Sequence, residues 1–203
     1  MTRATARSAS QAGFSLIEMM IVVGIMGVLT GIAVYQIGVS RPVYVGDGAM
    51  RVVLSQLNQA REMAITQRRN MRVDFSLGNK VTITRENVPA LPDPLTVVQT
   101  VFMEGGMEFA LVAGPPALPD SPDGFGNTTP VSFQLATVPA TEIKFGPEGT
   151  FINQDGATIN GSVFVALPNA MKDRKRSARV VTVFGSTGRI RGFKWDGVQW
   201  KPV

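Results

Sequence analysis

The chain has 203 residues, with no cysteine and no histidine, so disulfides, thiolate zinc sites and Ser-His-Asp or Cys-His catalysis are excluded. Its net charge of +5 is unevenly spread: residues 74–170 hold three basic and ten acidic side chains, whereas 171–203 hold nine basic and two acidic. The C-terminal sixth is therefore a concentrated cation, suited to a polyanion, an acidic neighbouring subunit or anionic lipid.

Residues 1–13 form a short polar leader with Arg3 and Arg7 and no acid. From Phe14 to Val34 the chain is apolar with one charge, Glu18, and about 20 such residues suffice to cross a bilayer as a helix. Basic flanks favour the cytoplasm, so the leader is expected there and the bulk of the chain on the far side. A secretory signal peptide is cut after its apolar run, yet the punctuated junction here, Gly13-Phe14, precedes it. A cut at that point leaves the membrane helix on the mature protein. A carboxylate in an apolar span costs about 2.5–3.5 kcal/mol at the centre and less near an end, so Glu18 either has a partner or snorkels to the interface. Gly27 and Gly31, with Gly24 nearby, make a small-xxx-small pair that lets helices approach closely, although glycine is common in membrane helices.

Residues 37–47 carry Gly38, Pro42 and Gly46. Proline disfavours helical geometry at Arg41, which predicts a kink or break, with Asp47 as the N-cap of a second helical stretch to about Gln67. Met50, Val53, Leu54, Leu57, Ala60 and Ala64 form one apolar stripe on it, with Arg51, Gln56, Gln59 and Glu62 expected to be more solvated. Alternation at 70–76, the Gly78-Asn79 turn and the β-rich 81–84 predict a hairpin. Residues 87–94 read as a proline-rich connection, 95–103 as a strand, and 113–130 as a long exposed loop. Further strands are expected at 131–135, 142–145, 162–167, 179–184 and 189–195. One long N-terminal helix against antiparallel strands is an α+β layout.

The string G-F-S-L-I-E at 13–18, with its leader and apolar run, resembles the class III signal of type IV pilins and type II secretion pseudopilins. That resemblance implies cleavage between Gly13 and Phe14 by a prepilin peptidase and N-methylation of Phe14. It also implies pairing of Glu18 with the N-terminal amine of a neighbouring subunit during filament assembly. The proline that this family often carries has no counterpart at Tyr35. Over the remainder the chain resembles GspH/FimT-type minor pilins and pseudopilins: Ala60-Arg61-Glu62-Met63-Ala64 ends the helix, the hairpin follows, then Phe145-Gly146-Pro147-Glu148-Gly149 and Gly188-Arg189-Ile190-Arg191. The implied organisation is a prepilin leader (1–13), a transmembrane and filament-core helix (14–37), its periplasmic continuation (38–69) and a β-rich globular domain (70–203). The implied partners are the bacterial inner membrane, other pilins or pseudopilins and prepilin peptidase. The implied location is single-pass in the inner membrane, with the globular domain periplasmic and able to enter a pilus or pseudopilus.

Arg189 and Arg191, two apart on one strand, share a face after the Gly188 turn, and two guanidiniums can bind successive phosphates. In FimT-type proteins, which this motif resembles, G-R-x-R contacts DNA. Lys172, Arg174, Lys175, Arg176, Arg179, Lys194 and Lys201 are candidates to widen that patch, and Trp195 and Trp200 to stack on bases. The alternative is a solvated hairpin with the tryptophans in the core and the arginines paired to acids such as Asp196. The 172–179 run also suits lipid headgroups or is simply a solvated loop. No phosphate-binding loop occurs, and Asp120, Asp123 and Asn127 are too thin a set for calcium. The reading is a structural, non-enzymatic subunit without cofactor, metal or small-molecule substrate, with DNA capture as the alternative role.

Overall fold

A computed structural model describes residues 14–76, 78–89, 92–112, 129–135, 138–168 and 174–203. The leader with Gly13, residues 113–128 of the proline-rich loop with Asp120, Asp123 and Asn127, and Lys172 lie outside them. The chain falls into two compact units, divided between Ser40 and Arg41.

Helix α1 runs from Leu16 to Gln67. Its N-terminal part is apolar on every side, and residues 14–37 are all exposed. A helix apolar all round is one that lipid or other helices must cover, and this one has the length and composition to cross a membrane. The break expected near Pro42 is absent: Pro42 lies inside the helix. Proline removes one backbone donor, but residues 41–67 are held by their packing, and such packing outweighs local propensity. Asp47 accordingly is not an N-cap. It sits within the helix, and its carboxylate accepts a hydrogen bond from Arg179 Nε at 2.7 Å.

In the second unit α1 buries Ala49, Met50, Val53, Leu57, Ala60 and Ala64, with Leu54 partly buried at the margin. Gln56, expected to be solvated, is buried. It stands three residues after Val53 and four before Ala60, so helical spacing sets it on the stripe whatever its polarity.

The strands form two antiparallel sheets. β1 (Met71–Ser76), β2 (Lys80–Glu86) and β3 (Leu95–Phe102) are followed by β4 (Glu108–Phe109), β5 (Val131–Leu135) and β6 (Val138–Pro139). Then come β7 (Lys144–Phe145), β8 (Phe151–Ile152), β9 (Asn160–Ala166), the short helix α2 (Arg174–Ser177), β10 (Arg179–Phe184), β11 (Arg189–Trp195) and β12 (Trp200–Pro202). The first sheet has the order β3-β2-β1-β7-β8 and the second β12-β11-β10-β9-β5-β6, with β4 also on β9. Aromatic rings join the sheets: Phe133 of the second lies 5.1 Å from Phe151 of the first, and Phe75 of the first lies 5.3 Å from Phe109 of the second.

Strand alternation divides the second sheet. Val163, Val165, Val181 and Val183 join the core that contains the α1 stripe. Phe164, Val180, Phe193, Trp195 and Trp200 form a separate cluster, on the opposite face. The α+β expectation is thus met: a long N-terminal helix whose C-terminal part packs on antiparallel sheets.

Candidate assembly and binding sites

At the N-terminus Ser15 and Glu18 close a capping box. The Ser15 backbone N–H donates to Glu18 Oε2 at 2.8 Å, and the Glu18 N–H donates to Ser15 Oγ at 3.3 Å. Two helix-end donors are satisfied reciprocally. Phe14, one residue before, is 83% exposed. Within a single subunit Glu18 therefore has a local partner, a role the sequence reading missed. Its signal, S-x-x-E ahead of an apolar run, is present at 15–18.

The three internal motifs converge on Arg61. Its Nε donates to the Gly149 carbonyl and its Nη2 to the Thr187 carbonyl, both at 3.1 Å. The helix-end segment, the F-x-x-x-G turn and the turn before G-R-x-R are thereby joined. Glycine is required at two of these points. Gly149 and Gly188 have φ of 78° and 62°, left-handed angles that disfavour side chains. A Cβ on Gly188 would also overlap the Gly149 carbonyl oxygen and come within 2.7 Å of Arg61 Nε.

Arg189 and Arg191 do lie on one face of β11, and both are half-buried. Arg189 stands 5.5 Å from the centre of the Phe184 ring, a cation–π distance. The same face continues through Phe193 and Trp195. Trp195 and Trp200 are 9% and 7% exposed and pack edge-to-face at 5.4 Å, so they belong to a core cluster and offer no stacking platform. Asp196 pairs with Lys201 at 2.8 Å rather than with either arginine. The Lys201 ammonium, then the Gln199 and Val198 N–H groups, hold the Asp196 carboxyl well below the usual carboxylate range.

The expected single patch divides. Arg179 is buried, not offered to a phosphate. Besides Asp47, its guanidinium donates to the carbonyls of Arg176, Ala178 and Val43. Arg174 Nε donates to the Leu167 carbonyl at 2.6 Å. Lys175 and Arg176 on α2 are exposed, as is Lys194. Lys194 pairs in register with Arg179, whereas Arg189 pairs with Phe184 at the other end of β10. Five residues of strand separate Lys194 from Arg189, about 17 Å, and alternation turns Lys194 to the opposite face.

Residues 8–34 match the family described as Prokaryotic N-terminal methylation motif. No curated protein and no solved structure matches the chain. The matched stretch contains Gly13, Phe14, the capping box and nearly all of the uncovered apolar helix. The N-terminal segment carries a class III signal, the prepilin motif found in type IV pilin-like proteins. That signal marks substrates of prepilin peptidase and implies pilin assembly, in a family of generally non-enzymatic structural proteins.

Proposed function

We propose that this chain is a minor pilin or pseudopilin of GspH/FimT type. It is held in the bacterial inner membrane by the N-terminal part of α1, with residues from about 38 onward in the periplasm. Its work is structural: packing by that helix into a type II secretion pseudopilus or a type IV pilus. The observation that carries the reading is an apolar helix surface left uncovered on every side, with Glu18 as its one charge, inside the matched motif. The meeting of Arg61, Gly149 and the turn at Thr187-Gly188 supports the GspH/FimT assignment, because it gives the three motifs one structural reason to occur together.

Cleavage at Gly13-Phe14 would create an amine one residue before the capping box. In the filament a neighbour's methylated Phe14 amine would take the Glu18 carboxylate as its counter-ion, where water cannot. The test is Glu18→Ala. The variant should insert in the membrane yet fail to crosslink with sister subunits or enter filaments. Normal assembly would remove the pairing role.

A second reading, DNA capture, rests on Arg189 and Arg191 sharing one face of β11. It is tested by fluorescence anisotropy with labelled duplex across a salt series. Replacing both by Ala should flatten the salt dependence by up to about two phosphates' worth, and equal binding by the folded double variant would retire the role.

A further inference from the structure

The basic residues that do not accompany Arg189 and Arg191 have a setting of their own. A cavity of about 340 Å³ is lined by Val43, Lys175, Arg176, Arg179, Lys194, Trp195, Asp196 and Gly197. Two of its charges are already neutralised: Arg179 by Asp47 and Asp196 by Lys201. Lys175, Arg176 and Lys194 are exposed, and among the described residues they form no ion pair. Among the described residues that line it, the basin therefore carries an unbalanced charge of about three. Beside it the turn between β11 and β12 presents Val198, 81% exposed, held by N–H bonds from Val198 and Gln199 to Asp196 Oδ1, both 2.8 Å. An apolar tip with flanking lysines is suited to a membrane interface.

Chain length fixes where this basin can go. Val43 is part of its wall and is bound through its carbonyl to Arg179. The uncovered apolar run reaches Ile37, six residues earlier. Six residues span at most about 22 Å, whatever the angle between the two units. A basin tethered so closely to the membrane meets the headgroups in an intramolecular step, so modest attraction suffices.

We propose that the basin formed by Lys175, Arg176 and Lys194, with the Val198 turn, docks the globular unit on anionic phospholipid headgroups while the subunit waits unassembled in the membrane. This rests on the membrane-anchor reading and extends it. DNA is the less suited polyanion here, because the basin is separated from Arg189 and Arg191 and lacks an accessible ring for stacking. Docking would hold the unassembled subunit in one orientation, and packing into a filament would have to release it.

The chain has no cysteine, so Val198→Cys in the full-length protein gives one site for a fluorophore. The labelled chain is reconstituted in vesicles of phosphatidylcholine alone or with one third phosphatidylglycerol, each containing a headgroup nitroxide quencher. Quenching should be strong with phosphatidylglycerol at low salt. It should fall to the phosphatidylcholine level in high salt, where the screening length shrinks to about 3 Å at 1 M. A basic side chain at such a surface contributes about fivefold to binding, so Lys175→Ala, Arg176→Ala and Lys194→Ala together should weaken docking about a hundredfold. A fluorophore at exposed Thr66, about 35 Å along α1 from Val43, should show no such dependence. Equal quenching in both lipids by chain that floats with the vesicles overturns the docking and leaves the anchor intact. Quenching that ignores salt and the triple variant also overturns it, as does signal from added duplex DNA without any lipid dependence. Failure to float overturns the anchor reading and this inference with it.

Discussion

Arg179 is buried and multiply bonded at the basic end, and the loss of its counter-charge should be read in Asp47→Ala. The guanidinium is 1% exposed and makes four hydrogen bonds, one of them to the Asp47 carboxylate at 2.7 Å. Removing the carboxylate leaves a buried cation without its counter-charge, which typically costs about 3–5 kcal/mol. Asp47 is itself 33% exposed, so water can reach that side, and the lower end, about 3 kcal/mol, is expected. Asp47→Asn keeps an oxygen for Nε and should cost about 1–2 kcal/mol. Arg179→Met should cost about as much as Asp47→Ala. The double variant should fall short of the sum by at least about 1.5 kcal/mol, because the two changes remove one interaction. The assay is urea unfolding of the full chain in mild detergent, followed by tryptophan emission. Trp195 reports on this corner, since its backbone N–H donates to the Ala178 carbonyl at 3.2 Å. An Asp47→Ala chain within about 0.5 kcal/mol of the parent, or strict additivity in the cycle, would refute the reasoning.

Gly188→Ala should destabilise by about 2–4 kcal/mol through left-handed backbone strain and overlap with the Gly149 carbonyl, again by urea unfolding; a neutral result would dissolve the Arg61 junction as described. Ser15→Ala should fray the first turn of α1 at a cost of about 1 kcal/mol, seen as faster amide exchange at Glu18, whose N–H loses its Ser15 Oγ acceptor. Stability should also fall in acid through Glu86. Burial raises that carboxyl, but the Asn70 amide at 2.6 Å and the Lys144 ammonium at 2.9 Å outweigh it and hold it below its ordinary value. A depressed carboxyl stabilises the fold above its unfolded value of about 4.3, and that contribution is lost as pH falls through the folded value. Glu86→Gln should be less stable at neutral pH and lose less between about pH 5 and pH 3; an unchanged acid profile would exclude Glu86 as a contributor.

The parts of the fold that pattern could reveal are those whose periodicity records burial on one side. Met71–Ser76 follows from alternation, and Val131–Leu135, Arg179–Phe184 and Arg189–Trp195 from short β-rich runs between turn signals. Two-residue strands such as Glu108–Phe109 and Phe151–Ile152 exist only because a partner lies beside them, and no local signal encodes that. The continuity of α1 through Pro42 and the burial of Gln56 are likewise tertiary outcomes that override a sound local rule. Trp195 and Trp200 read equally well as a core or a platform from sequence, and only their mutual packing decides. The basic tail looked like one patch because charge counting ignores strand direction: Arg179 turns inward, and Lys194 lies a strand's length from Arg189. The capping box at Ser15 and Glu18 was legible but hidden behind the stronger motif that overlaps it.

If the N-terminal segment is a prepilin signal, the leader is removed and the apolar helix stays on the mature chain. Intact-mass measurement of the protein extracted from membranes of cells that have prepilin peptidase tests this directly. Loss of Met1 to Gly13 and one added methyl on Phe14 are expected. A mature chain that still begins at Met1, or that begins beyond Val34 with the apolar helix removed, would contradict it.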